Sequence, residues 1–185
     1  MKVLPRTQFG NPILRQKARQ LSKEEILSEP IQELIQNMIY TLEHKQLGIG
    51  LAAPQVGKSI TLAVVNIQKT ALRTEVEPFQ LVIINPVIRE YLGDKNSLWE
   101  GCISTGSNGK CELVAQAIRH TKIRIEYTDE SGKRHSKIFE GLPAHVMQHE
   151  TDHLNGVLFV DRVEDTASYM TFKEYVKRVK KKTVK

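Results

Sequence analysis

The sequence predicts a single α+β domain, a β-rich body packed around one central helix, with a second helix near the N-terminus and a third at the C-terminus. Three observations carry the prediction. Apolar residues recur at three- and four-residue steps early, in the late middle and at the end of the chain, while the stretch between the first two is rich in short β-branched runs. Helices that do not alternate with the strands point away from repeated βαβ units. Finally, 185 residues suffice for one core without staples, and no linker or internal repeat divides residues 1–185.

The first helix is read from Ile31, Leu34, Ile35, Met38, Ile39 and Leu42, a stripe that Pro30 opens and Gly48 closes. Strands follow at Ile60 to Ile67 and Leu81 to Ile88, where β-branched residues cluster. Ser104 to Cys111 is small and polar, the composition of an extended loop. Lys122 to Tyr127 alternates with period two and runs into Asp129-Glu130-Ser131-Gly132, so a hairpin is expected there. The central helix should begin near Leu142-Pro143, because Pro fits a first turn, and stop at Asn155-Gly156, where Gly suits a left-handed cap. The last helix is expected from about Ser168, with Tyr169, Met170, Phe172, Tyr175, Val176 and Val179 as its apolar stripe.

With 40% hydrophobic and 26% charged residues the chain has the composition of a globular protein, and its apolar runs are too short to span a bilayer. The opening Met1-Lys2-Val3-Leu4-Pro5-Arg6 resembles neither a secretory nor an organelle signal, so the expected location is cytoplasmic, without a membrane partner. Two cysteines cannot build a disulfide framework, which leaves Cys102 to be weighed as a ligand or nucleophile and Cys111 as incidental. The formal charge of +6 belongs to residues 173–185: removing their seven basic residues and Glu174 leaves 20 basic and 20 acidic residues. A balanced body argues against a DNA-binding domain and confines any polyanion contact to the basic tail at 173–185.

The chemistry concentrates in His149-Glu150-Thr151-Asp152-His153. Four residues of separation put both imidazoles on one helical face, able to chelate one ion, with Glu150 beside them. A lone histidine is better read as a satisfied core or surface residue, and His44, His120, His135 and His145 keep that reading, although His145 lies one turn from His149. A catalytic ion commonly takes three protein ligands, and Cys102, in Glu100-Gly101-Cys102-Ile103-Ser104, is the candidate for the third. An ion so held activates water against an amide-type bond, with Glu150 accepting the displaced proton and passing it to the departing amine.

Three segments in order resemble the peptide deformylase family: Gly48-Ile49-Gly50-Leu51-Ala52-Ala53-Pro54-Gln55-Val56-Gly57, then Glu100 to Ser104, then Gln148-His149-Glu150-Thr151-Asp152-His153-Leu154. The similarity runs from Pro12-Ile13-Leu14-Arg15 to about Arg162. It implies removal of the formyl group from the N-terminal formylmethionine of newly made polypeptides, releasing formate. It also implies Cys102, His149 and His153 as metal ligands, Glu150 as general acid/base, and Gln55 with the backbone N–H of Ile103 as donors to the tetrahedral oxyanion. Ile49, Gly50 and Gly101 are expected against the peptide backbone, and Leu142, His145 and Val146 around the methionine side chain. Glu100 and Arg119 match positions expected to form a supporting ion pair. The favoured metal is Fe(II), with zinc, nickel or cobalt also compatible with such a ligand set.

Two departures from the family pattern leave an alternative open. Thr105-Gly106-Ser107-Asn108-Gly109-Lys110 stands where a hydrophobic residue and Pro commonly follow, and His145 stands where an apolar residue commonly lines the methionine pocket. The alternative is a deformylase-like protein that keeps the metal but acts on another N-acylated peptide or is catalytically weak. A general metalloprotease is less favoured, because nothing beyond the histidine pattern calls for it. The basic tail carries two expectations, a solvated helix end and a contact with ribosomal RNA near the nascent-chain exit, the latter steeply salt-dependent.

Overall fold

The computed structural model describes residues 1–45, 48–69, 76–106 and 111–183. Strands β1 (Gly50–Ala52), β2 (Leu62–Ile67), β3 (Phe79–Gly101), β4 (Leu113–Thr128) and β5 (Arg134–Glu140) pair antiparallel in that order, and the short β6 (Met170–Thr171) adds to the far end of β4. The helices are α1 (Lys23–Ile26), α2 (Glu29–Lys45), α3 (Gly141–Leu154) and α4 (Phe172–Thr183). This is the α+β single domain that the sequence predicts.

The sheet is covered on both faces where β1 to β3 lie, and the period-two alternation of β2 divides its side chains between two cores. Leu62 and Val64, with Val82 and Ile84 of β3, face the α2 stripe of Ile35, Met38 and Leu42. Ala63, Val65, Ile67 and Ile83 face α3 through Ala144, Val146, Met147 and Leu154. Burial on both sides explains why β2 opens with the continuous apolar run Leu62 to Val65 instead of alternating.

Beyond Ile88 the pattern changes. Strand β3 continues for another 13 residues, to Gly101, and stays paired with β4 from Ile84↔Thr128 to Gly101↔Val114, with register shifts on the way. Its outer half is mostly polar and exposed, so pairing alone extends the strand past the segment that hydrophobicity marks. The result is a ribbon whose end delivers Cys102 beside α3.

Helix α3 begins at Gly141 and ends before Asn155, within a residue of both expected bounds. Gly156 adopts φ +74°, and a Cβ there would come within 2.6 Å of the Arg15 carbonyl oxygen, so both conformation and space require Gly. The last helix departs from expectation. Thr166–Ser168 forms a 3-10 turn, and Met170 and Thr171 pair with Val114 and Leu113, so α4 starts at Phe172. Open backbone groups along β4 capture the extended segment, and ladder hydrogen bonds outweigh its helical periodicity. Tyr169 and Met170 therefore lie outside the helical stripe. Of the Ser104 to Cys111 loop, residues 107–110 lie outside the described residues, as does the side chain of Val179. No described helix is long and apolar enough to cross a membrane.

Candidate metal centre

Two distant segments meet at the C-terminal end of β3. Cys102 leaves the strand in extended conformation and caps a 3-10 turn, Ile103–Thr105, while α3 turns one face toward it. Cys102 Sγ lies 3.3 Å from His153 Nε2, which lies 3.2 Å from His149 Nε2, and the three ligand atoms sit within 4.8 Å of one another. Bonds of about 2.3 Å to sulfur and 2.0–2.1 Å to nitrogen around a tetrahedral centre separate ligand atoms by about 3.3–3.6 Å. The donor set and its spacing therefore fit one ion.

Below the ligands is a buried charge network. The Glu100 carboxylate accepts from His149 Nδ1 and, bidentately, from Arg119 at 2.8 and 3.1 Å. Arg119 also pairs with Asp152, which in turn holds Arg162 at 2.7 and 3.0 Å. The sequence expectation that Glu100 and Arg119 pair is met. Asp152 and Arg162 were not legible as partners, although Asp152 stands inside the histidine motif. Since His149 donates from Nδ1, its Nε2 is left to face the ligand cluster.

The electrostatics follow from burial and these partners. Against burial, which alone would lower it, Glu100 and Cys102 hold the His149 imidazole well above its usual range, while burial and His149 push His153 well below. Burial opposes the charge on Glu100, but His149, His145 and Arg119 keep its carboxyl well below the usual range. Glu150 lacks such partners. Burial, against the opposing pull of His149, pushes it up to about 7, and its Oε2 is buried without a hydrogen-bond partner among the described residues.

Gly50 of β1 approaches Glu150 so closely that a Cβ there would stand 2.1 Å from Glu150 Oε1. Any side chain at residue 50 would displace the carboxylate. Asn66 N–H donates to the Ile49 carbonyl at 2.9 Å, which makes Ile49 the residue bonded to β2 and turns the backbone N–H and C=O of Gly50 outward. Because β1 has β2 as its only neighbour in the sheet among the described residues, that outward edge has no strand paired to it, although the strand itself is buried.

After β1 a 3-10 turn, Ala53–Val56, carries Gln55. Its Oε1 accepts from the Ala52 N–H at 2.8 Å, which fixes the amide orientation, and its Nε2 points at Cys102 Sγ (3.3 Å) and Ser104 Oγ (3.2 Å). Ser104 is fully buried, a partner that sequence reasoning missed although it closes the quoted Cys102 segment. Ile103 follows Cys102 directly. Ile49, Leu142 and Val146 share one apolar cluster beside β1. Gly101 has Cys111 and Val114 where its Cβ would be, which leaves only its backbone for a substrate contact, and His145 is turned toward Glu100, with Nε2 at 2.7 Å from Oε2.

The description polypeptide deformylase matches residues 3–184. A peptide deformylase of Leptospira biflexa is 41% identical over 162 residues, covering 85% of this chain and 86% of that protein. Peptide deformylase 2 of a Nostoc species is 40% identical and covers 98% of both chains. Among solved structures, the Met-Ala-Ser-bound class I type b peptide deformylase of Acinetobacter baumannii superposes with TM-score 0.80 at 31% identity, over 87% of this chain and 98% of that one. The actinonin complex of the Synechococcus elongatus enzyme gives 0.75 at 36% identity, over 89% and 81%. With a metal-type cluster, a near-complete match and relatives at this level of identity in agreement, the chain belongs to the polypeptide deformylase family.

Proposed function

We propose that residues 1–185 act as one catalytic domain in which Cys102, His149 and His153 hold a single divalent metal and the surrounding groups hydrolyse the formyl amide of formylmethionine. The observation that carries the reading is the convergence of three ligand atoms, spaced for one ion, beside Glu150, whose Oε2 is buried without a hydrogen-bond partner among the described residues. When bound, a divalent ion supplies a water whose pKa falls from 15.7 toward roughly 7. Glu150 takes the proton released as the water oxygen bonds to the formyl carbon. The C–N bond then breaks, Glu150 returns the proton to the departing amine, and formate and a free N-terminus result. Gln55 Nε2 and the Ile103 N–H donate to the formyl oxygen as negative charge develops on it.

The substrate is placed by backbone more than by side chains. An extended N-terminus adds to the outward edge of β1 at Gly50, which brings its first residue over Glu150. Ile49, Leu142 and Val146 supply an apolar wall for a methionine side chain, and the Gly101 backbone borders the same path. Relatives named for deformylation, one of them bound to Met-Ala-Ser, support formylmethionine over another N-acylated peptide.

The thiolate-containing ligand set and the family favour Fe(II), so activity should decay in air and persist in a nickel-loaded chain. Action on nascent chains favours a cytoplasmic location. Helix α4 is anchored by Tyr175 on Trp99, 5.5 Å between ring centroids, while Lys173, Lys177 and Arg178 remain exposed. That basic surface is suited to ribosomal RNA, and equal co-sedimentation of a chain ending at Phe172 would remove this part of the reading. The central test is formate release from formyl-Met-Ala-Ser by anaerobically purified protein, compared with other first residues. Release favouring Met supports the proposal, and no release in any metal form overturns it.

A further inference from the structure

Of the three histidines on α3, the hydrolytic scheme leaves one unused: His145, one turn before His149 on the same face. Its side chain is buried, and Nε2 lies 2.7 Å from Glu100 Oε2, while Nδ1 is buried with no hydrogen-bond partner among the described residues. The contact assigns the ring hydrogen to Nε2. Glu100 then carries two donors on each oxygen: His149 Nδ1 and Arg119 Nη2 on Oε1, His145 Nε2 and Arg119 Nε on Oε2. An ionised carboxylate has about four acceptor sites, so this one is saturated.

We infer that His145 is a positioning residue for the metal: by occupying the last acceptor site of Glu100 it fixes the carboxylate that orients His149. The inference rests on Cys102, His149 and His153 holding the ion. Arg119 grips Glu100 from one side only, through a single guanidinium plane, whereas His145 reaches it from α3 itself, the helix that carries both metal imidazoles. Removing that donor leaves one buried oxygen short of a partner and lets the carboxylate turn about the Arg119 fork. His149 Nδ1 then loses its aligned acceptor, and the ring that presents Nε2 to the ion loosens. Partners of this kind alter metal affinity by about 10- to 100-fold when replaced.

The test loads native chain, His145→Leu and His145→Gln with Co(II). It measures the rate of transfer to a chromophoric chelator together with the visible absorption of the bound cobalt. Gln keeps an N–H at nearly the reach of Nε2, whereas Leu keeps only the volume. The expected result is metal loss about 10- to 100-fold faster from His145→Leu, with a changed spectrum, and near-native behaviour of His145→Gln at equal Tm. Equal retention by the Leu variant overturns the inference, as does a folded Gln variant as labile as Leu. Should the Leu variant not fold, the imidazole ¹⁵N spectrum of the native chain decides: a hydrogen on His145 Nε2 supports the inference and one on Nδ1 alone overturns it. A native chain that binds no cobalt overturns the metal reading first, an outcome distinct from native retention without a His145 effect.

Discussion

Ion pairs at two places along the same strands use the same residue types in opposite surroundings. Around Arg119 the side chains of Arg119 and Glu100 are each 3% exposed, and the guanidinium is shared by two carboxylates from β3 and α3. Midway along β3, Arg89 pairs with Glu126 and Arg124 with Glu90 at side-chain exposures of 39–54%. Water and salt screen these exposed pairs, which makes them nearly neutral for stability. The inner network is held by burial and has no substitute for a lost partner. The difference separates a ribbon that needs charge for solubility from a site that uses charge to lock two distant segments together.

The largest effect should come where the chemistry has a single agent. Glu150→Gln keeps the shape of the side chain but cannot carry the proton, and kcat should fall by about 10²- to 10⁴-fold with metal content unchanged. Next, Arg119→Leu leaves Glu100 and Asp152 buried without their cation, and chemical denaturation should show a loss of about 3–5 kcal/mol. Gly50→Ala forces a Cβ against Glu150. It should lower stability by about 1–3 kcal/mol, and because the carboxylate must move, activity should fall while metal stays bound.

The small effects sharpen the same contrast. Against desolvation, which alone would raise it, the Ser131 hydroxyl, His135 and the backbone N–H groups of Lys133 and Ser131 donate to Asp129 and hold its carboxyl well below the usual range. A depressed native value means stability that is present above the unfolded value and lost as pH falls through the native one. The difference in melting temperature between the native chain and Asp129→Asn should therefore shrink toward low pH. Arg89→Ala, midway along β3, should change stability by at most about 1 kcal/mol in a denaturant titration. A larger loss there would dissolve the distinction between the two networks.

Legibility in the sequence followed locality. The bounds of α3 and the shared face of His149 and His153 were readable because caps and four-residue spacing are local signals. Cys102 was readable as a candidate ligand only because two imidazoles leave an ion short, and the family motif then agreed. The outer half of β3 was not readable, since polar, exposed residues carry no apolar period and pairing with β4 alone makes them a strand. Helix α4 was started too early because Met170 fits both a helical stripe and the short strand β6. His145, Asp152 and Arg162 were invisible as partners, because their contacts depend on how α3 meets β3, β4 and the segment after the helix.

The most direct test of the account is deformylation measured against bound metal. Metal-stripped protein titrated with Fe(II) under anaerobic conditions should release formate from formyl-Met-Ala-Ser in proportion to metal bound. Activity should level off at one ion per chain, and Cys102→Ala should neither hold that ion nor turn over. Full activity in stripped protein, or an active Cys102→Ala chain with one ion bound, would contradict it.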